Sequence, residues 1–211
     1  MWMKKSMSNN VNVTIEIATL DDAPGIHKAL KENLIEIHDF DQITEKQLKE
    51  LEENGFLRKE VDVNYYENLI KDLNTDIYVA KTDDGLIVGF ASLHKKKYNV
   101  FNFRSVLDNL YVDDDITRDL LIGKDKEFVY FDQISIIPEY KRKGIGSAII
   151  NKILSDVDKP IVAFIVEVPL TNKASIYWHE RNGFELAAKS DGEYKGKIFK
   201  FVIYVNWNRK S

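Results

Sequence analysis

The segment that most restricts the fold lies at residues 128–154. A β-rich run over 128–137 is stopped by Pro138. Three successive cations follow, Lys141, Arg142 and Lys143, and then Gly144 and Gly146 open a stretch in which Ile145, Ile149, Ile150 and Ile153 recur at helical spacing. This order predicts a strand, a glycine turn and an amphipathic helix. The first backbone N–H groups of such a helix have no intrahelical acceptor. They point the same way as the positive end of the helix dipole, glycine lets an oxygen approach the backbone closely, and basic side chains screen further negative charge. A phosphate-bearing ligand fits that arrangement, although two glycines after a strand also suit a plain tight turn. The dinucleotide pattern G-x-G-x-x-G fails because Ile149 stands where its third glycine belongs, and no Gly-x4-Gly-Lys-Ser/Thr run exists for a P-loop.

Around this unit the periodicities predict a mixed sheet. Val11, Val13, Ile15 and Ile17 alternate with polar residues as a first strand. Thr19, Asp21, Asp22 and Pro24 then open a helix carrying Ile26, Leu30, Leu34 and Ile37, to about His38. Thr44 opens another amphipathic stretch that Asn54-Gly55 stops, and residues 65–73 repeat the pattern more weakly. Runs at 77–80 and 86–91 flank Thr82-Asp83-Asp84-Gly85, a hairpin signal. The charge runs Lys95-Lys96-Lys97 and Asp113-Asp114-Asp115 read as solvated faces, with a small helix within 116–122. The continuous apolar run at 161–166 suits a strand covered on both faces. A helix over 172–181, a stop at Asn182-Gly183, and two strands around a turn at Asp191-Gly192 complete a β-loop-α-β-α-β-β half.

With 211 residues and no repeat or linker, the expectation is one domain over 11–207 behind a flexible segment at 1–10. Hydrophobic residues at 44% and charged residues at 30% make the chain globular, and a formal charge of -4 argues against a protein that wraps nucleic acid. The absence of cysteine removes disulfides, thiolate metal sites and a catalytic thiol. His27, His38 and His94 lack metal-ligand spacing, and Ser135 and Ser147 have no triad motif, so neither a metal centre nor a serine hydrolase is expected. Met1-Trp2-Met3-Lys4-Lys5-Ser6 has no apolar run behind it, which leads us to expect a soluble, cytoplasmic protein without membrane contact.

The stretch Lys141, Gly144, Gly146 resembles motif A of the GNAT superfamily of acetyl-CoA-dependent N-acetyltransferases: Arg or Gln, two residues, Gly, one residue, Gly or Ala. Here Lys takes the first place. Asn172, Gly183 and Phe184 resemble the family's second hallmark, an Asn opening a helix, a Tyr seven residues on, and Gly-Phe beginning the next strand; His179 stands at the Tyr position. The resemblance implies an α+β GNAT fold, a mixed sheet of about seven strands flanked by helices. It also implies acetyl-CoA as cosubstrate, a small-molecule or peptide amine as acceptor, and a homodimer.

It further implies that the pantetheine arm lies between the strand ending near Ile136 and the strand at 161–166. There it would pair with the main chain of Ile134, Ser135 and Ile136, with the Ile136 N–H donating to the thioester oxygen. Lys141, Arg142, Lys143, Gly144, Ile145, Gly146 and Ser147 would surround the diphosphate, and Asn172 would meet the arm. His179 is the family-position candidate for protonating the leaving thiolate, ahead of Tyr177. An amine of pKa about 10 must lose a proton before attack. Asp132 is the first candidate base and Glu167 the alternative. Strand alternation puts Asp132 on the face of Ile134 and Ile136, with Gln133 opposite, unless a bulge shifts the parity. The expected reaction is acetyl transfer to a primary amine in a direct ternary complex. The alternatives are an acyl-CoA-binding module without amine chemistry and, behind it, a nucleotide-phosphate binder. Acceptor choice would rest on residues 40–73, 94–126 and the last strands.

Overall fold

The computed structural model describes residues 12–34, 44–57, 61–95, 109–194 and 197–209. The expected flexible segment at 1–10 and the end of the first helix near His38 lie outside them. In chain order the elements are β1 (Thr14–Ile17), α1 (Ala23–Lys31), α2 (Glu45–Asn54), α3 (Val63–Lys71), β2 (Thr75–Lys81), β3 (Ile87–His94), β4 (Leu110–Tyr111), α4 (Asp115–Ile122), β5 (Val129–Ile136), α5 (Ile145–Asp156), β6 (Ile161–Val168), α6 (Lys173–Arg181), β7 (Glu185–Tyr194) and β8 (Lys197–Asn206).

The strands form one sheet in the order β1-β2-β3-β5-β6-β8-β7-β4. Neighbours are antiparallel except β5 and β6, which run parallel. The eighth strand is β4, a two-residue edge piece whose length gives no readable alternation. The turn expected at Asp191-Gly192 does not form. Asp191 pairs with Lys200 and Gly192 with Phe199, so β7 runs through both to Tyr194 and β8 starts at Lys197, later than the Asp-Gly signal implies. Buried Phe199 extends the ladder past the point where local turn chemistry alone would close it.

Short polar side chains start the helices. Thr44, Asp62, Asp114 and Asn172 accept hydrogen bonds from the backbone N–H of Gln47, Tyr65, Thr117 and Ser175, satisfying donors at the N-termini of α2, α3, α4 and α6. Asp114, part of a run read as a solvated face, is thus a helix cap. The sheet is covered on both faces. On one, Ile145, Ile149, Ile150 and Ile153 of α5 pack on Ala91, Leu93, Phe131 and Ile165. On the other, Ile26 and Leu30 of α1 and Tyr66 of α3 pack on Ile77, Val79 and Phe90. Each fully buried isoleucine contributes about 2 kcal/mol gross, so α5 is held by its apolar stripe and its N-terminus is left for other work.

Candidate active site

β5 and β6 part company inside the sheet. They pair only from Val129–Ile161 to Phe131–Ala163, although each strand runs eight residues. Beyond that fork β5 stays on β3 and β6 stays on β8. The N–H of Ile137 donates to Val88 O at 2.9 Å, which sets the ladder: Ser135 and Gln133 bond to β3, whereas Ile134 and Ile136 turn their backbone groups away from β3 and toward the opening. Asn33 Nδ2 occupies the Ile136 carbonyl at 3.0 Å. The Ser135 side chain is committed elsewhere, donating to Ala29 O at 2.7 Å and accepting from Asn33 Nδ2 at 2.8 Å; it ties β5 to α1.

The glycine loop stands at the open end of this fork. Gly144 is left-handed at φ 82, and among the described residues no side chain caps α5 and nothing lies within 4 Å of a Cβ built on Gly144. Arg142, also left-handed at φ 61, precedes it. Alternating backbone hands turn successive N–H groups into one concavity, and left-handed non-glycine residues cluster where binding demands them. Ile145, Gly146 and Ser147 form the uncapped first turn. Gly146 serves a different purpose from Gly144: its Cβ would lie 2.7 Å from Trp178 Nε1, so glycine there lets α5 approach α6. Gly146→Val is expected to cost about 1–3 kcal/mol by overpacking, read as a lower midpoint in denaturant unfolding.

The three cations do not act alike. Lys141, the motif-A position, directs its ammonium to Asn54 O at 2.9 Å, at the C-terminus of α2; burial, reinforced by the charge of Arg142, pulls it below the ordinary lysine value. Lys143 lies over the Tyr140 ring at 5.1 Å, and Arg142 and Lys143 are both exposed. Asn172 likewise serves α2: besides capping α6 it donates to Phe56 O at 3.0 Å. Lys173 pairs with Glu52 beside it. The end of α2 therefore touches both lips of the fork, a connection that no local sequence pattern announces.

His179 is 2% exposed and sits edge-on to Phe131, Trp178 and Phe184. Its Nδ1 lies 2.7 Å from Ser175 O and must donate to it, so the neutral ring has a lone pair at Nε2, which has no hydrogen-bond partner among the described residues. Burial pushes its pKa down from 6.5 to about 4. At neutral pH this ring is an acceptor and not a proton donor, which moves it away from the acid role expected from its position. The unfolded chain takes up the proton first, so stability present above pH 6.5 is lost as the pH falls toward 4, by about 3 kcal/mol. His179→Phe is expected to flatten that acid limb in urea titrations at pH 7, 5.5 and 4.5. Tyr177 is 60% exposed, on the solvent side of α6 under Arg181.

The candidate bases lie on opposite sides of the sheet. The register between β3 and β5 slips at Ser92/Leu93, and Asp132 is the extra residue, immediately beyond the last β5–β6 pair. The bulge shifts the parity. Ile134 and Ile136 pack toward α5, while Gln133 accepts from Tyr66 OH of α3 at 2.9 Å and Ser135 bonds α1. Asp132 joins that α1–α3 side, its Oδ2 3.4 Å from His94 Nε2 and its carboxyl hydrogen-bonded with Tyr130. This corrects the alternation argument that set Asp132 with Ile134 and Ile136. Buried Ser92 Oγ and Gln133 Nε2, on register partners beside it, have no hydrogen-bond partner among the described residues. Glu167, on the other side, faces Lys189 at 3.4 Å.

A mixed sheet forked between two parallel strands, with an uncapped glycine-led helix at the fork's mouth, defines an acyl-CoA acetyltransferase fold. The Acetyltransferase (GNAT) family matches residues 37–184, and the chain belongs to that family. No curated protein matches the sequence. Among solved structures it is similar to Arabidopsis thaliana NAA60 in complex with acetyl-CoA, with 13% identity over 92% of this chain and 97% of that one and a TM-score of 0.58. It is also similar to the ribosomal-protein-S18-alanine N-acetyltransferase of Escherichia coli, with 13% identity, coverage of 95% and 96%, and a TM-score of 0.58. A third is the paiA N-acetyltransferase of Thermoplasma acidophilum in complex with coenzyme A, with 13% identity, coverage of 90% and 98%, and a TM-score of 0.53. Among the described residues no helix is long and apolar enough to cross a membrane.

Proposed function

We propose that the protein transfers an acetyl group from acetyl-CoA to a primary amine of a small molecule or peptide in a direct ternary complex. The observation that carries this reading is the fork between β5 and β6, opening directly above the uncapped N-terminus of α5. The first-turn N–H groups of Ile145, Gly146 and Ser147, with Arg142 and Lys143 nearby, suit a diphosphate. The backbone of Ile134 and Ile136 suits an amide-bearing arm, and the Ile136 N–H is the donor for the thioester oxygen as charge develops on it. Asp132, at the apex of the fork, takes the proton of the attacking amine. A thiol has a pKa of about 8.5, so the coenzyme sulfur can leave as thiolate and be protonated by water. His179 then stays neutral within the aromatic packing beneath α6. Lys141 and Asn172 act through α2, holding the end of that helix across the mouth of the fork.

Isothermal titration with acetyl-CoA and CoA, followed by acceptor-dependent CoA release across a panel of small amines and peptides, tests the reading. Binding of both coenzymes, with release that depends on an amine, is expected. No binding at millimolar coenzyme ends the proposal. The proton-poor His179 favours a second reading, an acyl-CoA-binding module; it predicts coenzyme binding with hydrolysis that no amine accelerates.

A further inference from the structure

Asp132 is the inner end of a line of polar side chains that reaches solvent. Its Oδ2 lies 3.4 Å from His94 Nε2; His94 Nδ1 lies 3.3 Å from Thr75 Oγ1; Thr75 Oγ1 donates to Asp72 Oδ2 at 3.5 Å. The first three groups are enclosed, with side-chain exposures of 11% for Asp132 and 9% for His94 and a residue exposure of 6% for Thr75. Asp72 opens the turn before β2, where Leu73 is 91% exposed. The backbone N–H and side chain of Asn74 hold the Asp72 carboxyl below the usual carboxylate range, so it is an ionised acceptor. Thr75 and His94 are register partners on β2 and β3. The other groups that face this line are Tyr130, stacked on His94 at 6.0 Å, and Tyr65 and Tyr66 of α3; Lys95, next to His94, is paired with Asp76 at 2.7 Å. Tyr130 and Tyr66 are held protonated by burial, so neither competes for a proton.

Resting on the acetyltransfer reading, we propose that His94 carries the acceptor's proton away from Asp132 and out through Thr75 to Asp72. The ammonium N–H bond breaks as the proton passes to Asp132. Asp132 gives it to His94 Nε2, and the imidazolium releases its Nδ1 proton to Thr75 Oγ1 while the Thr75 hydroxyl proton moves to Asp72 and then to water. One proton leaves the amine and one reaches solvent, and the ring recovers its starting tautomer by exchange with water. The distances are at the long end for proton transfer, as is common before substrates tighten a site.

The test compares wild type, His94→Gln and the isosteric Thr75→Val with the best acceptor from the amine panel, over pH 6.5–9.5, alongside acetyl-CoA binding by calorimetry. His94→Gln should lower kcat about 100-fold at pH 7, within the range of proton-transfer catalysis, and Thr75→Val about tenfold by the same reasoning. Both should bind acetyl-CoA within twofold of wild type. The deficit should shrink to less than about tenfold by pH 9.5, where more of the amine is already neutral. A purely structural role for His94 would depress the rate equally at every pH, and that outcome overturns the proposal. So does a Thr75→Val enzyme as fast as wild type. An active wild type with undiminished variants sinks this proposal alone, whereas a wild type that acetylates no amine sinks the acetyltransfer reading and takes this one with it.

Discussion

Replacing Gly144 with valine is expected to abolish coenzyme binding while leaving the chain folded. Gly144 has φ 82, a region where an L-residue pays about 1–2 kcal/mol and a β-branched one more. Among the described residues nothing lies within 4 Å of the position a Cβ would take, so the backbone strain is the principal cost to the folded state. In a domain of this size that corresponds to a fall in Tm of roughly 2–8 °C. The open space beside Gly144 adjoins the uncapped first turn of α5, and in the proposed binding mode a valine there fills the position of a phosphate oxygen. We expect acetyl-CoA affinity to fall more than about 100-fold, equivalent to nearly 3 kcal/mol. Calorimetry with acetyl-CoA reads the loss and a thermal melt confirms the fold. Gly146→Val makes the informative contrast, because its clash is with Trp178 inside the protein and its principal cost is stability. A Gly144→Val protein that binds coenzyme as wild type does would remove the α5 N-terminus from the site.

The parts of this molecule that were legible in sequence are those encoded locally. The strand halted by Pro138, the cations, the two glycines and the isoleucine stripe lie within 27 consecutive residues, and each acts through its own backbone or its own helix face. The Asn172 to Phe184 stretch is local in the same way. What escaped depends on pairing between distant segments. Lys141 reads as a phosphate ligand until α2, 87 residues earlier, places the Asn54 carbonyl beside it. Ser135 reads as a main-chain partner of the pantetheine arm until the β3–β5 register turns its backbone groups to β3. The side to which Asp132 turns hinges on a single inserted residue in the β3–β5 ladder, and one residue of slip exchanges the faces of a strand. His94, 38 residues from Asp132, shows no motif, and counting outward from the Asp83–Gly85 turn sets it opposite Asn74; the register shift at Ala80/Lys81 moves it opposite Thr75. At Asp191-Gly192 the opposite error arises, since a strong local turn signal is overridden by a long ladder between β7 and β8.

Asp132→Asn is expected to lower kcat about 100- to 1,000-fold with acetyl-CoA affinity unchanged within twofold, because proton transfer by a positioned base contributes factors of this size. Asparagine keeps the shape and an acceptor oxygen for the Tyr130 hydroxyl, so the bulge and its packing survive, but it cannot take a proton. In the proposed binding mode the coenzyme meets the main chain of β5 and the N-terminus of α5, neither of which involves this carboxyl, and that separates turnover from binding. Glu167→Gln supplies the counter-test. Glu167 lies on the opposite side of the sheet, partly exposed and paired with Lys189 at 3.4 Å, and an ion pair in that setting is worth at most about 1 kcal/mol. Its amide variant is therefore expected to turn over within threefold of wild type. Measured side by side, the two variants decide from which side of the fork the amine approaches: loss of turnover in the Asp132 variant puts the acceptor on the α1–α3 side, among Tyr66, Gln133 and His94. Loss in the Glu167 variant with Asp132→Asn unaffected would put it on the α5–α6 side, and the base, the proton line through His94 and the bulge as a catalytic device would all fall together.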